Sequence, residues 1–389
     1  MEKVFAVSAP GLEPFTAQEL RELGLLASAS ASTAEVQSSP AGADDEGGGI
    51  EFEGDLSAIY RANLWLRTAS RVLVRLGEFH AAAFSELRKK AGRLAWERYL
   101  APGQPVALRV TCRKSRLYHE NAVAERIAGA IGDRLNRPPP MAKFDEKAEE
   151  EPPQLIIVRI VNDHCTISVD SSGALLHRRG YRQAIAKAPL RETLAAGMIM
   201  ASGWDRASPL IDPFCGSGTI PIEAALMVRG IAPGRARRFA FMHWPGFDPV
   251  LWKTLLAESE RRLRAEIPKI AASDRDAGAI RMARANAERA GVAEAIEFSC
   301  RAVSAIEPTG TGWVVTNPPY GLRVSANKDL RNLYAQFGNV LRAGCPGWHI
   351  ALLCSDLRLL GQMGMRLDSS LSVDNGGITV RLARGIVEG

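Results

Sequence analysis

The chain has 389 residues, 46% of them hydrophobic and 24% charged, with a formal net charge of +6. That length predicts two or three domains, and the balance of apolar and charged residues excludes a largely disordered chain. No window approaches the roughly 20 uninterrupted apolar residues of a bilayer-spanning helix, and the apolar N-terminal run meets Glu13 and Pro14 too soon for a signal peptide, so a cytoplasmic protein is expected.

In chain order, residues 4–7 (V-F-A-V) read as a strand and 14–25 as a helix ending near Gly24. An Ala/Ser/Gly-rich tract over 27–49 reads as loop, with a strand at 33–37 inside it. A strand follows at 50–53, helices at 56–66 and 84–99, a strand at 106–112 and a helix at 121–135. Pro138, Pro139 and Pro140 stop the chain, and an acidic linker leads to a strand pair at 155–161 and 166–170. This order predicts compact α+β modules. From Ser208 the texture changes. Strands at 209–212, 270–274, 296–300, 313–317 and 349–354 alternate with helical segments, the pattern of a parallel sheet covered on both faces. Alternating runs at 365–374 and 378–387 flank Asn375-Gly376-Gly377, a strong hairpin signal, so the sheet is expected to close with an antiparallel hairpin.

The six cysteines (Cys112, Cys165, Cys215, Cys300, Cys345, Cys354) form no C-x-x-C pair and the six histidines no ligand-spaced cluster, which argues against a disulfide framework and a structural zinc or other metal site. Charge is unevenly spread. Residues 61–137 hold 16 Lys and Arg against 6 Asp and Glu, between acidic stretches at 44–55 and 145–151. A basic face that binds phosphate is expected, with a solvated surface balanced by its neighbours as the competing reading.

Three motifs carry chemistry. The strand at 209–212 delivers D-P-F-C-G-S-G-T at 212–219, with a helix expected from Pro221. Two glycines one residue apart permit a sharp turn and close approach to a ligand at a helix N-terminus; a tight turn without ligand is the bland alternative. Asp212 and the missing third glycine disfavour a dinucleotide and its anionic pyrophosphate, and suit a ligand carrying an ammonium or sulfonium group. The strand at 270–274 ends in S-D-R-D, where Asp274 is expected to accept hydrogen bonds from a ribose, and Asp276 reads equally as the cap of the next helix. The fourth strand ends in N-P-P-Y-G at 317–321. Its prolines leave nearby carbonyls free as acceptors, so the Asn317 side chain and the Pro318 carbonyl can hold an exocyclic amine while Tyr320 stacks on a flipped-out base.

D-P-F-C-G-S-G-T followed by N-P-P-Y-G resembles the motifs of class I S-adenosylmethionine-dependent methyltransferases that act on an exocyclic amine. With L-H-R-R-G-Y-R at 176–182, A-P-L-R-E-T-L-A-A at 188–196 and F-M-H-W-P-G-F-D at 241–248, the whole chain resembles the THUMP-domain RNA guanine-N2 methyltransferases, nearest the N-terminal half of the large-subunit ribosomal RNA enzyme and its standalone relatives. The resemblance implies a ferredoxin-like region at 1–60, a THUMP domain at 61–171 and a Rossmann-like methyltransferase domain at 172–389. It implies that Glu192, Asp212, Phe214, Gly216, Ser217, Gly218, Thr219 and Asp274 bind S-adenosylmethionine, and that Asn317, Pro318 and Tyr320 hold the target guanine. Arg113, Lys114, Arg178, Arg179, Tyr181 and Arg182 are the expected RNA contacts, with packing between the two halves an equal alternative for 177–182. The expected partner is RNA, ribosomal before transfer RNA. Ala302 stands where relatives present an acid to the adenine amine, and Leu322-Arg323 where they often carry Glu-Arg. A transfer RNA enzyme, a non-catalytic RNA-binding scaffold and a nicotinamide oxidoreductase are the competing functions.

Overall fold

A computed structural model describes residues 1–27, 48–145, 153–182, 190–306, 308, 310–320 and 330–388. The expected strand at 33–37, most of the acidic linker and Gly321, Leu322 and Arg323 lie outside the described residues. The chain packs as two units, residues 1–8, 17–176 and 237–256 in the first and residues 9–16, 177–236 and 257–389 in the second.

In the first half of the chain, β1 (Glu2–Ser8), α1 (Glu13–Glu22), β2 (Gly49–Gly54), α2 (Leu56–Trp65), β3 (Ala69–His80), α3 (Phe84–Ala91), β4 (Val106–Arg113), α4 (Glu120–Leu135), β5 (Gln154–Val161) and β6 (His164–Asp170) follow one another. Their strands form one sheet in the order β2-β1-β3-β6-β5-β4. All pairs are antiparallel except β4 with β5. The 12-residue β3 is an element the sequence reading lacks. Its arginines mask the alternation, because both are satisfied by distant partners: Arg71 Nη1 donates to Asp170 Oδ2 at 2.7 Å and to the Gly173 carbonyl at 2.6 Å, and Arg75 lies 4.2 Å over the Phe5 ring. The helix expected over 84–99 also needs correction. It ends at Ala91, with Gly92 as its cap, and a separate 3₁₀ turn, Trp96–Arg98, buries Trp96, whose indole donates to the Ala91 carbonyl.

The segment 237–256 completes this unit. Phe241 stacks on Tyr60 at 4.3 Å, the Tyr60 hydroxyl accepts from the Asp248 amide, and the Trp244 indole donates to Gln154 Oε1 at 2.9 Å. Phe241 and Trp244 of F-M-H-W-P-G-F-D are therefore core residues of the first unit, buried among aromatic partners, with Phe247 half-buried against Tyr60.

Beyond β6 come α5 (Glu192–Ala201), β7 (Leu210–Asp212), α6 (Thr219–Val228), α7 (Pro249–Glu260), β8 (Ile270–Asp274), α8 (Ala277–Ala290), β9 (Ile296–Cys300), β10 (Trp313–Thr316), α9 (Leu330–Gly344), β11 (His349–Cys354), α10 (Leu357–Gln362), β12 (Asp368–Asp374) and β13 (Thr379–Ile386). The seven strands run β12-β13-β11-β10-β7-β8-β9. The five from β11 to β9 are parallel, and the β12–β13 hairpin joins β11 antiparallel. Every residue of α6 is buried, as a helix packed on a parallel sheet requires. The sheet order reverses between β7 and β10, so the carboxyl ends of these two strands flank a topological switch point, where open α/β sheets bind ligands. Residues 9–16 belong to this unit. Leu12 is buried in its core, the Asp374 amide donates to the Pro10 carbonyl, and Gly11, at φ +91°, approaches β12 so closely that a Cβ would sit 2.0 Å from the Ser372 carbonyl oxygen.

Candidate active site

The switch point is built from backbone turns and two carboxylates. Asp212 ends β7 almost fully buried; its Oδ1 accepts from the Phe214 amide at 3.1 Å and from the Thr316 hydroxyl at 2.5 Å. Thr316 is the last residue of β10, so this bond ties the strand leading into Asn317 to the 212–219 loop. Burial pushes the Asp212 carboxyl up to about 7 against these hydrogen bonds, with a further push from Asp274. At the end of β8, Asp274 accepts from the Gly216 amide through Oδ2 and from the Asp276 amide through Oδ1. Asp276 caps α8 by accepting from the Gly278 amide, the capping reading of its place in the sequence. Asp274 keeps spare lone pairs for a further donor.

The loop's glycines have separate reasons. Gly216, at φ +51°, faces open space where a side chain would stand, whereas a Cβ on Gly218, at φ +84°, would press on Ala283 at 3.0 Å. Ser217 is held through its carbonyl by Asn286 of α8, and Thr219 begins α6. Phe214 packs edge-on against Phe337 at 5.2 Å. Cys215 is buried, and burial beside two carboxylates raises its thiol far above the usual range, so it stays a neutral packing group.

Beyond β10, the side-chain oxygen Oδ1 of Asn317 is buried with no hydrogen-bond partner among the described residues. Pro318 is buried, and Tyr320 is half-buried, its hydroxyl accepting from Asn375 Nδ2 at 3.0 Å. Asn375 sits in the turn between β12 and β13, so the hairpin holds the Tyr320 hydroxyl.

The segment 177–182 departs from expectation. Arg178 is exposed, but Arg179 and Tyr181 are buried: Arg179 lies 3.5 Å from Glu223 Oε1, and the Tyr181 hydroxyl donates to the same oxygen at 3.2 Å. Arg182 also turns inward, donating to the Thr219 hydroxyl at 2.6 Å and the Leu190 carbonyl at 2.8 Å. Their assignment as RNA contacts is corrected for Arg179 and Tyr181, because both side chains are buried against Glu223 and out of reach of a solvent-borne phosphate. Glu192, the first residue of α5, has Oε1 3.3 Å from Arg182 Nε and a buried Oε2 without a hydrogen-bond partner among the described residues. Desolvation lifts its carboxyl to about 7 despite Arg182.

In the first unit, the basic stretch is partly neutralised within the fold. Arg88 forms two bonds to Asp133, Arg134 two to Glu97, Arg98 pairs with Glu2 and Arg71 with Asp170. Arg113 ends the edge strand β4, and Lys114, at φ +46°, starts the exposed turn after it. Two neighbours that the sequence reading missed extend this patch: Arg116, 77% exposed, and Tyr118, 67% exposed and packed against His119. An exposed aromatic among cations was the available signal.

The residues at the switch point fit a cationic nucleoside cofactor. Glu192 offers a buried carboxylate oxygen without a partner among the described residues, Gly216 leaves open space, and Asp274 offers further acceptor capacity. Comparison with known proteins agrees. The family described as RMKL-like, methyltransferase domain matches residues 179–384, the RlmL ferredoxin-like domain matches 3–73, and the THUMP domain matches 81–170. The chain is 37% identical, over 98% of its length, to "Ribosomal RNA large subunit methyltransferase K/L" of Syntrophotalea carbinolica, of which it covers 53%. It is 35% identical to "Putative RNA methyltransferase slr0064" of Synechocystis, covering 98% of this chain and 95% of that one. The chain thus spans about half the length of the K/L relatives and nearly all of the Synechocystis protein. A solved structure, "SMU.472, a putative methyltransferase complexed with SAH", superposes with a TM-score of 0.84 at 29% identity, covering 98% of this chain and 97% of that one. The chain belongs to the RMKL-like methyltransferase family, with ferredoxin-like and THUMP domains preceding its methyltransferase domain.

Proposed function

We propose that this protein methylates the exocyclic N2 amine of a guanosine in RNA, with large-subunit ribosomal RNA the favoured substrate, in the cytoplasm. The observation that carries this reading is the buried oxygen of Asn317, without a hydrogen-bond partner among the described residues and one residue beyond the strand tied to the 212–219 loop. The cofactor is S-adenosylmethionine, which supplies an electrophilic methyl on a sulfonium centre. Glu192 pairs with the ammonium of its methionine part, and Asp274 accepts from its ribose hydroxyls. Asp212, Phe214, Gly216, Ser217, Gly218 and Thr219 shape the turn around it. Asn317 Oδ1 and the Pro318 carbonyl accept hydrogen bonds from the two N–H groups of the target amine, drawing the nitrogen from planar towards tetrahedral so that its lone pair can attack the methyl in line as the thioether leaves, the proton of the charged product amine then passing to water. Tyr320 presents its face to the flipped-out base, its hydroxyl steadied by Asn375. A dedicated base is not required before transfer, because the amine becomes acidic only as its charge develops. Arg113, Lys114 and Arg178 meet RNA phosphates, within a division into 1–60, 61–171 and 172–389.

Labelled S-adenosylmethionine with unmodified 23S ribosomal RNA and unmodified transfer RNA, offered separately, tests the substrate. Label in the ribosomal RNA alone is expected. Label in transfer RNA alone would move the enzyme to the other substrate, and label in neither would favour the scaffold reading.

A further inference from the structure

We infer that Arg182 is a positioning residue for the cofactor site, clamping the first turn of α6 to the carboxylate at the start of α5; the inference rests on the cofactor reading above. One guanidinium does three things. It donates to the Thr219 hydroxyl and to the Leu190 carbonyl, and its Nε stands 3.3 Å from Glu192 Oε1. Its donors are directed into the protein, and its side chain is only 12% exposed.

The contacts around it explain why a fixed arginine is needed. Thr219 follows the two glycines of the loop, and glycines leave a backbone free to move unless something else fixes it. Glu223 lies four residues on from Thr219, on the same face of α6, and is wholly buried with Arg179 and Tyr181. Arg182 and the Arg179–Tyr181 pair therefore grip α6 at two successive turns. From the other side, Arg289 of α8 donates to the Tyr181 carbonyl and bonds Asn286, which itself donates to the Ser217 carbonyl. Loop residues 217 and 219 are thus fixed from both flanks by side chains that start in 177–182 or lean on it.

Arg182 also sets what Glu192 can do. Its charge stands on the Oε1 side of the carboxylate, while Oε2 is buried without a hydrogen-bond partner among the described residues, which suits a single ammonium group. Without the guanidinium, desolvation would keep Glu192 protonated and remove the attraction for a cation. The sequence motif L-H-R-R-G-Y-R then has its main work in the cofactor site, with Arg178 as its solvent-facing member.

The test measures two affinities on the full chain: S-adenosylmethionine by calorimetry, and 23S ribosomal RNA by filter binding without cofactor. Arg182→Ala should weaken cofactor binding by about tenfold or more, the scale of a charge-assisted hydrogen bond, with RNA affinity held within about twofold. Arg182→Lys should restore only part, because an ammonium cannot span both partners. The KM for cofactor should rise while kcat at saturating cofactor stays near that of the parent. Thr219→Val removes the acceptor without touching the charge; its effect on cofactor affinity should largely vanish in the Arg182→Ala background, and it answers the question alone if Arg182→Ala does not fold. RNA affinity falling while cofactor affinity holds, or the two substitutions adding fully, overturns the inference. A parent chain that binds no S-adenosylmethionine overturns the cofactor reading itself, an outcome visible before any variant is made.

Discussion

Replacing Asn317 by Ala separates catalysis from stability in a direction that few active-site substitutions share. The Asn317 oxygen is buried and has no hydrogen-bond partner among the described residues, so the fold already bears its desolvation, about 1–3 kcal/mol for a neutral polar atom. Truncation removes that cost and forfeits only the packing of a half-buried side chain. The net effect on unfolding free energy should lie within about 1 kcal/mol of zero or be stabilising. In the transition state the balance reverses. The oxygen is then an acceptor facing developing positive charge on the amine, and losing one such preorganised group costs about 2.7–4 kcal/mol, or 10²–10³ in kcat. Single-turnover transfer with pre-bound cofactor measures the second quantity and urea unfolding of the same preparation the first. A variant that transfers methyl groups within tenfold of the parent refutes the reasoning. So does one destabilised by several kcal/mol, because the oxygen would then have a structural partner.

Three further outcomes are expected. Arg113→Ala with Lys114→Ala should weaken RNA binding and reduce the slope of log K against log salt by roughly 2, one for each phosphate contact, with cofactor affinity intact; equal loss of both affinities contradicts this division. Glu192, lifted from 4.5 to about 7, makes the folded cofactor-free state bind the extra proton, so its contribution to stability is complete below pH 4.5 and declines as pH rises towards 7. Asp212, lifted from 3.8 to about 7, acts in the same direction. Cofactor affinity should rise over the approach to pH 7 as Glu192 ionises; calorimetry in buffers of different ionisation enthalpy would detect the released proton, and a flat profile contradicts its role. Gly11→Ala should lower the unfolding free energy by about 2 kcal/mol or more, since a Cβ would meet the Ser372 backbone oxygen at a positive φ and neither can swing away. An unchanged urea midpoint would show that residues 9–16 do not hold β12 as described.

The parts of the site legible in the sequence are those whose cause is local. D-P-F-C-G-S-G-T announces its turn because glycine takes the loop's positive φ at 216 and 218 without the steric cost of a Cβ, and Asn375-Gly376-Gly377 announces the hairpin for the same reason. Asp276 could be read as a cap from its place before α8, but only the structure separates it from Asp274, whose reach to the Gly216 amide crosses from β8 to the loop. What was illegible depends on partners far along the chain. Arg71 and Arg75 hid β3 because Asp170 and Phe5 satisfy them, 99 and 70 residues away. Arg179 and Tyr181 read as surface groups until Glu223, over 40 residues on, is seen between them. The exchange of residues 9–16 and 237–256 between the two packed units has no local signature, since each segment looks like an ordinary loop or helix entry where it stands.

The most direct test of the central claim is nucleoside mass analysis of RNA methylated in vitro by the parent chain and by Asn317→Ala. N2-methylguanosine as the new nucleoside, lost in the variant while S-adenosylmethionine still binds, is the predicted result. A methyl group on adenine N6, on cytosine N4 or on a ribose oxygen would contradict the assignment of a guanine amine to the Asn317 and Pro318 acceptors.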